Sequence, residues 1–178
     1  MTALAVCHSG LIDEKEFNTN KKIKYQASSP DEVALLNFAR KYKYIFFGIK
    51  DNNKIIIEKP FSPNVTSLTK FIYQIPFQFE YSSERKSMSV IIQNTENHNE
   101  IYLFIKGADN VIFNNLEKEN RINKAVINNL QNALDVYAKE GLRILAVAYR
   151  KLSIDELNEY EREYIKACKS TYSKKQKL

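Results

Sequence analysis

The chain has 178 residues, 44% of them hydrophobic and 27% charged, which suits one globular domain with a real core rather than a disordered chain. Its longest uninterrupted apolar run, Ile144 to Tyr149, falls far short of the roughly 20 residues a membrane-spanning helix needs, and Met1 to His8 lacks the basic start and length of a signal peptide. A formal charge of +6 favours anionic partners such as nucleotides, nucleic acid or a phospholipid surface, although Lys174, Lys175 and Lys177 read as part of a solvated end.

In chain order, Thr2 to His8 reads as a short apolar helix that starts abruptly, as if cut from something longer. Leu11 to Lys22 reads as polar loop and Ile23 to Gln26 as a short strand. Ser29-Pro30-Asp31-Glu32 is a helix start: Ser29 suits the N-cap, Pro30 the first helical position, and Glu32 the place of a capping-box glutamate. A helix is therefore predicted from about Pro30 to Tyr42. Tyr44 to Lys50 and Lys54 to Lys59, joined by Asp51-Asn52-Asn53, read as a hairpin. After Pro60 to Asn64 comes a strand near Phe71 to Phe77, broken by Pro76. Met88 to Gln93 and Ile101 to Ile105 form a second hairpin around Asn94 to Glu100.

Lys106-Gly107-Ala108-Asp109 closes that strand, and Asn110 to Leu116 reads as helix. Asn123 to Lys139 is a longer helix, with apolar residues at Val126, Leu130, Ala133, Leu134 and Tyr137. Gly141 supplies its stop. Leu142 to Tyr149 is nearly continuously apolar, which predicts a central strand covered on both faces. Ser153 to Glu156 repeats the S-x-x-E cap and opens a last helix to about Cys168. The expected fold class is α/β of the α+β type: a twisted, mostly antiparallel sheet flanked by helices, with residues 1–178 as one domain.

The segment from Phe79 to Val90 is the chemical centre of interest. It sets aromatic rings, two hydroxyls and the cations Arg85 and Lys86 just before an apolar strand, the minimum kit for a base and a phosphate. Glu32 is either a helix cap or a carboxylate that accepts a hydrogen bond from a ligand amine such as adenine's. Lys106 is either solvated at a strand end or a point charge for phosphate. Gly107 either makes a turn or lets a ligand approach the backbone. Asp109 reads as dipole and capping chemistry. Arg143, at the start of a buried strand, needs either a structural carboxylate or a phosphate for its planar fork. The glycines form no Walker-type loop, and His8 and His98 have no obvious partners. Cys7 and Cys168 lack a spacing motif, so the thiols read as reduced and intracellular, with no metal site. No catalytic centre is visible.

Several segments together resemble the nucleotide-binding domain of the type IV P-type ATPases, the phospholipid flippases. They are Cys7-His8 after an apolar helix, Tyr25 to Glu32, Ser83 to Val90, Lys106 to Ile112, Tyr137 to Arg143 and Ala148-Tyr149-Arg150, in the family's order and across nearly the whole chain. The resemblance implies that Glu32 contacts the adenine edge and Tyr81 stacks on the ring. It implies further that Ser83, Lys86 and Lys106 line the pocket and that Arg143 reaches toward the phosphates, beside Ile144. Three positions depart from the family pattern: Tyr81 stands where Phe is usual, Ser87 where a basic residue is, and Ile144 where Thr is, which removes a hydroxyl near the phosphates. Stacking on an aromatic is worth about 1–3 kcal/mol in nucleic-acid systems.

The family's phosphorylated aspartate motif is absent, so the resemblance implies a fragment of a larger membrane ATPase, lying at the cytosolic face of a membrane and itself soluble. The phosphorylation domain of the same parent chain would be its partner and would hold most of the Mg²⁺. ATP would be bound here and its γ-phosphate delivered there, driving a phospholipid toward the cytosolic leaflet. Phospholipid and any accessory subunit would be met only through missing parts. The isolated chain is expected to bind ATP without turning it over. Lys106→Ala and Tyr81→Ala are expected to weaken ATP binding with the fold intact. The rival readings are a basic nucleic-acid-binding module and a degenerate structural domain without a nucleotide.

Overall fold

The structure, a computed structural model, describes residues 1–20, 22–50, 53–62, 67–116 and 121–175. The predicted turn residues Asp51 and Asn52, the connection residues Pro63 and Asn64, and Gln176 and Lys177 of the predicted tail lie outside them.

The chain opens with α1 (Thr2–Val6), β1 (Leu11–Ile12), α2 (Glu14–Asn20), β2 (Tyr25–Gln26) and α3 (Pro30–Lys41). The stretch expected to be loop thus holds a helix and half of a ribbon, because β1 pairs antiparallel with β2. No hydrophobic period announces α2; its start is set by Asp13, whose carboxylate accepts the N–H groups of Lys15 (3.1 Å) and Glu16 (3.2 Å).

Six strands then lie side by side in the order in which the chain makes them, each antiparallel to the last. They are β3 (Ile45–Lys50), β4 (Lys54–Pro60), β5 (Leu68–Ser82), β6 (Ser87–Asn94), β7 (Ile101–Gly107) and, after two helices, β8 (Ala146–Leu152). Pro76 does not break β5. The register with β6 shifts between Gln74 and Phe77, and the pairing with β4 ends at Gln74, so the ring sits where no ladder donor is required.

Alternation on the strands separates two cores. Val6, Leu36, Phe46, Ile57, Val90 and Ile92 are buried between the sheet and the helices α1 and α3. On the opposite face a smaller cluster joins Ile91, Ile101 and Leu152 to Leu157 of α6 (Ile154–Lys175). Both faces of β6 are buried, so β6 is the central strand. The expectation for Leu142 to Tyr149 is overturned: residues 142–145 are loop, and β8 ends the sheet with Val147 and Tyr149 exposed. An apolar run marks a buried strand only when something packs on both of its faces, and here Val147 and Tyr149 are exposed on a strand at the sheet's edge.

Between β7 and β8 lie α4 (Asp109–Asn114) and α5 (Arg121–Lys139). Gly141 ends α5 at φ +70°, its N–H donating to Ala138 O while Leu142 N–H donates to Tyr137 O, the paired bonds of a Schellman stop. Of the apolar positions read on α5, Ala133 and Leu134 are half-buried, while Val126, Leu130 and Tyr137 are exposed.

Candidate functional site

At the start of α3 the cap and the carboxylate separate. Ser29 Oγ accepts the Asp31 N–H at 3.3 Å and caps the helix by itself. Glu32 does not reach back to close a capping box. Its Oε1 takes Lys106 Nζ at 2.9 Å, and its Oε2 takes the Ser9 hydroxyl at 2.6 Å. The Ser9 N–H lies 3.3 Å from Oε2 and 3.4 Å from Oε1. Lys106 stands opposite Met88 of β6 and Val147 of β8, so it projects from the sheet face that α1 and α3 cover. The side chains of Lys106 and Glu32 are only 8% and 12% exposed. Lys106 is therefore not a solvated strand end.

Burial pushes the Glu32 carboxyl upward, but the Ser9 hydroxyl, the Lys106 ammonium and the Ser9 amide outweigh it, and the net shift is downward. The Glu32 carboxyl is thus ionised at neutral pH.

The segment carrying Ser9 is itself pinned. His8, expected to lack partners, is buried; its Nδ1 accepts the Gly10 N–H at 3.1 Å, leaving Nε2 to donate to Ala5 O at 3.0 Å. Its ring also meets Phe46 edge-on at 4.4 Å. Burial, the largest influence, lowers its pKa to about 4, so the imidazole is neutral. Burial likewise pushes the Cys7 thiol up to about 12; both cysteines are free, Cys7 buried and Cys168 exposed. Gln78 Nε2 donates to His8 O at 3.3 Å, tying the segment to β5.

Arg143 is not at the start of a buried strand. It lies in the loop after Gly141, with its side chain 83% exposed, and its guanidinium meets Asp31 Oδ2 at 2.8 Å. Of the two readings open for it, the structure supplies a carboxylate partner. Ile144 beside it is half-buried. Adjacent acids at one helix start therefore hold two cations from distant parts of the chain.

Tyr81 is near the end of β5 and 62% exposed; Ser83 and Lys86 lie in the following turn and are exposed too. Lys86 adopts φ +48°, its N–H donating to Ser82 O at 2.7 Å and its carbonyl accepting the Ala108 N–H at 3.0 Å. Arg85 braces the turn: its guanidinium donates to Ser87 O at 3.1 Å and lies 5.4 Å from the Phe79 ring centre. A Cβ on Gly107 would stand 2.4 Å from Lys86 O, so the missing side chain admits the neighbouring strand's backbone. Neither reading offered for Gly107 included that role. Asp109 is the first residue of α4, consistent with its dipole reading.

Register places the pieces at one end of the sheet. Ser82, Ser87, Gly107 and Ala146 form a row across β5, β6, β7 and β8. The Ser83–Lys86 turn, the Lys106 side chain and the loop bearing Arg143 and Ile144 all flank that row. Two cavities, of about 240 and 470 Å³, are lined by none of the predicted site residues. Ser9 was missed from sequence, and Arg85, read there as a cation for phosphate, braces the turn. Ser9 follows the Cys7-His8 pair, and nothing local says that it meets a carboxylate 23 residues away. Among the described residues no group of three or more His, Cys, Asp or Glu is placed to hold a metal ion, and no helix is long and apolar enough to cross a membrane.

Residues 1–176 match the family described as the P-type ATPase cytoplasmic domain N. The human phospholipid-transporting ATPase IC is 32% identical over 98% of this chain, which covers 12% of that protein. The Arabidopsis thaliana probable phospholipid-transporting ATPase 5 is 34% identical over 98% of the chain and 14% of its own length. The Saccharomyces cerevisiae phospholipid-transporting ATPase DNF1 is 34% identical over the whole chain, here 11% of that protein. The chain thus spans about an eighth of the curated relatives it matches.

Proposed function

The chain belongs to the P-type ATPase cytoplasmic N-domain family, in its type IV branch, and from that premise we propose that residues 1–178 form the ATP-binding domain of a phospholipid-transporting ATPase. The observation that carries this reading is the Glu32–Lys106 pair. Two charges from segments 74 residues apart are withdrawn from water at the sheet end where Arg143, Tyr81 and Lys86 stand exposed. Burying a charge pair is a poor way to stabilise a fold, because desolvation cancels most of the attraction. It is a good way to hold a carboxylate and an ammonium ready for a ligand.

The residues fit an adenine nucleotide. Glu32 offers an acceptor to the exocyclic amine, and Tyr81 a ring to stack on the base. Ser83, Lys86 and Lys106 supply hydroxyl and ammonium donors. Arg143, half-committed to Asp31 in an exposed pair, supplies a two-point donor for the phosphates. Ile144 adds apolar surface. ATP brings the γ-phosphoryl group. This chain orients it, and the acceptor aspartate, most of the Mg²⁺ and the actuator machinery are assigned to other domains of the parent chain. Positioning and charge compensation are much of what phosphoryl transfer asks of a protein. In the parent, at the cytosolic face of a membrane, the cycle would move a phospholipid toward the cytosolic leaflet. The isolated chain binds ATP without hydrolysing it.

The test is an isotope-resolved NMR titration with ATP, GTP and a short single-stranded oligonucleotide. Saturable ATP shifts at Glu32, Tyr81, Lys106 and Arg143, weaker with GTP, are expected. Shifts with the oligonucleotide alone, abolished by salt, would replace this reading with nucleic-acid binding.

A further inference from the structure

We infer that Ser9 is a specificity-positioning residue, fixing the Glu32 carboxylate so that one oxygen is held by the chain and the other is released to the base. This role rests on the nucleotide reading above and goes beyond it, because Ser9 touches only Glu32 in that assignment.

The two oxygens of Glu32 are held differently. Oε2 takes the Ser9 hydroxyl at 2.6 Å and the Ser9 N–H at 3.3 Å, both from a segment that cannot easily move. The rigidity has identifiable sources. His8 closes a bond to its own helix end and accepts the Gly10 N–H, so the backbone on both sides of Ser9 is tied down. Cys7 is buried beneath it, with its Sγ 3.6 Å from Met88 O. A Cβ on Gly10 would lie 2.7 Å from Leu36 Cδ1, so the turn is packed directly on α3, the helix that carries Glu32. Oε1, by contrast, is held chiefly by Lys106 Nζ, at the tip of a flexible four-carbon stem. Among the described residues its one other partner is the Ser9 N–H, a long contact at 3.4 Å.

A ligand amine that competes for Glu32 therefore competes at Oε1, displacing an ammonium that can swing to a phosphate or ring nitrogen. The carboxylate plane stays where Ser9 keeps it. Adenine presents an N–H donor at its 6-position; guanine presents a carbonyl there, which a fixed carboxylate repels and leaves unpaired. Discrimination of this kind depends on the acceptor being unable to turn away. Without Ser9, Glu32 can rotate about its terminal bond, pair with Lys106 through either oxygen, and yield to either base.

The test uses the full 178-residue chain, unaltered and as Ser9→Ala and Ser9→Thr, with ATP and GTP affinities by calorimetry and the Glu32 carboxyl titrated by ¹³C NMR. Ser9→Ala is expected to lower the ATP-to-GTP affinity ratio roughly 3- to 10-fold, the scale of a charge-assisted hydrogen bond acting at one remove. It should also raise the Glu32 titration midpoint, and Ser9→Thr, which keeps the hydroxyl, should restore both. A merely structural role would weaken both nucleotides alike and leave the ratio unmoved. If the unaltered chain prefers ATP and Ser9→Ala keeps that preference, the Ser9 role falls alone. If the unaltered chain binds neither nucleotide, the nucleotide reading falls and takes this role with it.

Discussion

Two helices of this protein begin with the same four-residue spacing and spend it differently. At α6, Ser153 Oγ accepts the Glu156 N–H at 3.1 Å and Glu156 Oε2 accepts the Ser153 N–H at 2.8 Å, a reciprocal capping box. At α3, Ser29 Oγ accepts the Asp31 N–H as a simple N-cap and no box forms, because Ser9 and Lys106 claim both oxygens of Glu32. The α6 start is exposed and nothing competes with the backbone except Arg150, which pairs with Glu156 from outside. The α3 start lies against a buried ammonium whose own desolvation must be compensated. The same local signal closes a helix where it faces water and builds a binding rim where it faces another element.

The contrast can be broken most severely by removing the cation. Lys106→Ala leaves Glu32 withdrawn from water and paired only with Ser9, and should lower stability by about 3 kcal/mol or more by denaturant unfolding. The same denaturant measurement decides whether the fold stays intact, as the sequence leads one to expect, at a stability cost set by the burial of Lys106. The double variant Glu32→Gln/Lys106→Met, which removes both charges, should recover most of that loss while abolishing nucleotide selectivity.

Acid attacks the same region next. His8 has a pKa of about 4 against an ordinary 6.5, so the folded chain binds its proton less readily than the unfolded chain does. Its contribution is complete above about pH 6.5 and is lost as pH falls toward 4, about 3 kcal/mol in all. Glu32, lowered from its ordinary value, adds a further loss as pH falls through the carboxylate range. His8→Gln should flatten the stability profile between pH 6.5 and 4 measured by urea titration, and leave the acid loss from Glu32 in place.

The caps should be close to equal despite their different partners. Ser153→Ala and Ser29→Ala each remove one N-cap hydroxyl and should cost about 1 kcal/mol. A much larger loss for Ser29→Ala in thermal unfolding would mean that the α3 cap also supports the Glu32 geometry. Smallest of all is the neighbouring pair. Arg143→Ala breaks an exposed contact with Asp31 and should shift stability by less than about 1 kcal/mol, while weakening ATP more than adenosine in calorimetry.

The hairpins, the starts of α3 and α6 and the glycine stop of α5 were legible in sequence, because each depends on neighbours within a few residues; the edge position of β8 was not. The residue types of the candidate site could be named from the sequence, but their relative geometry could not. Glu32 reads as a cap until Lys106, 74 residues on, is placed opposite it. Arg143 reads as buried because the run that follows it is apolar, but residues 142–145 are loop and its side chain is exposed. Pro76 reads as a break because its tolerance depends on a register shift in the pairing with β6. Each miss is a long-range relation that the local pattern does not encode.

The sheet is open, and β3 and β8 form its margins. A bare margin of backbone donors and acceptors invites a second copy to add its own strand. Here one margin is interrupted by the register slip at Gly48, where φ of +120° bends β3 out of regular pleat, and the other carries Arg150 and Lys151 side by side. Irregularity at one edge and like charge at the other make edge-to-edge stacking costly, so the open sheet is guarded at both margins against adding a second copy.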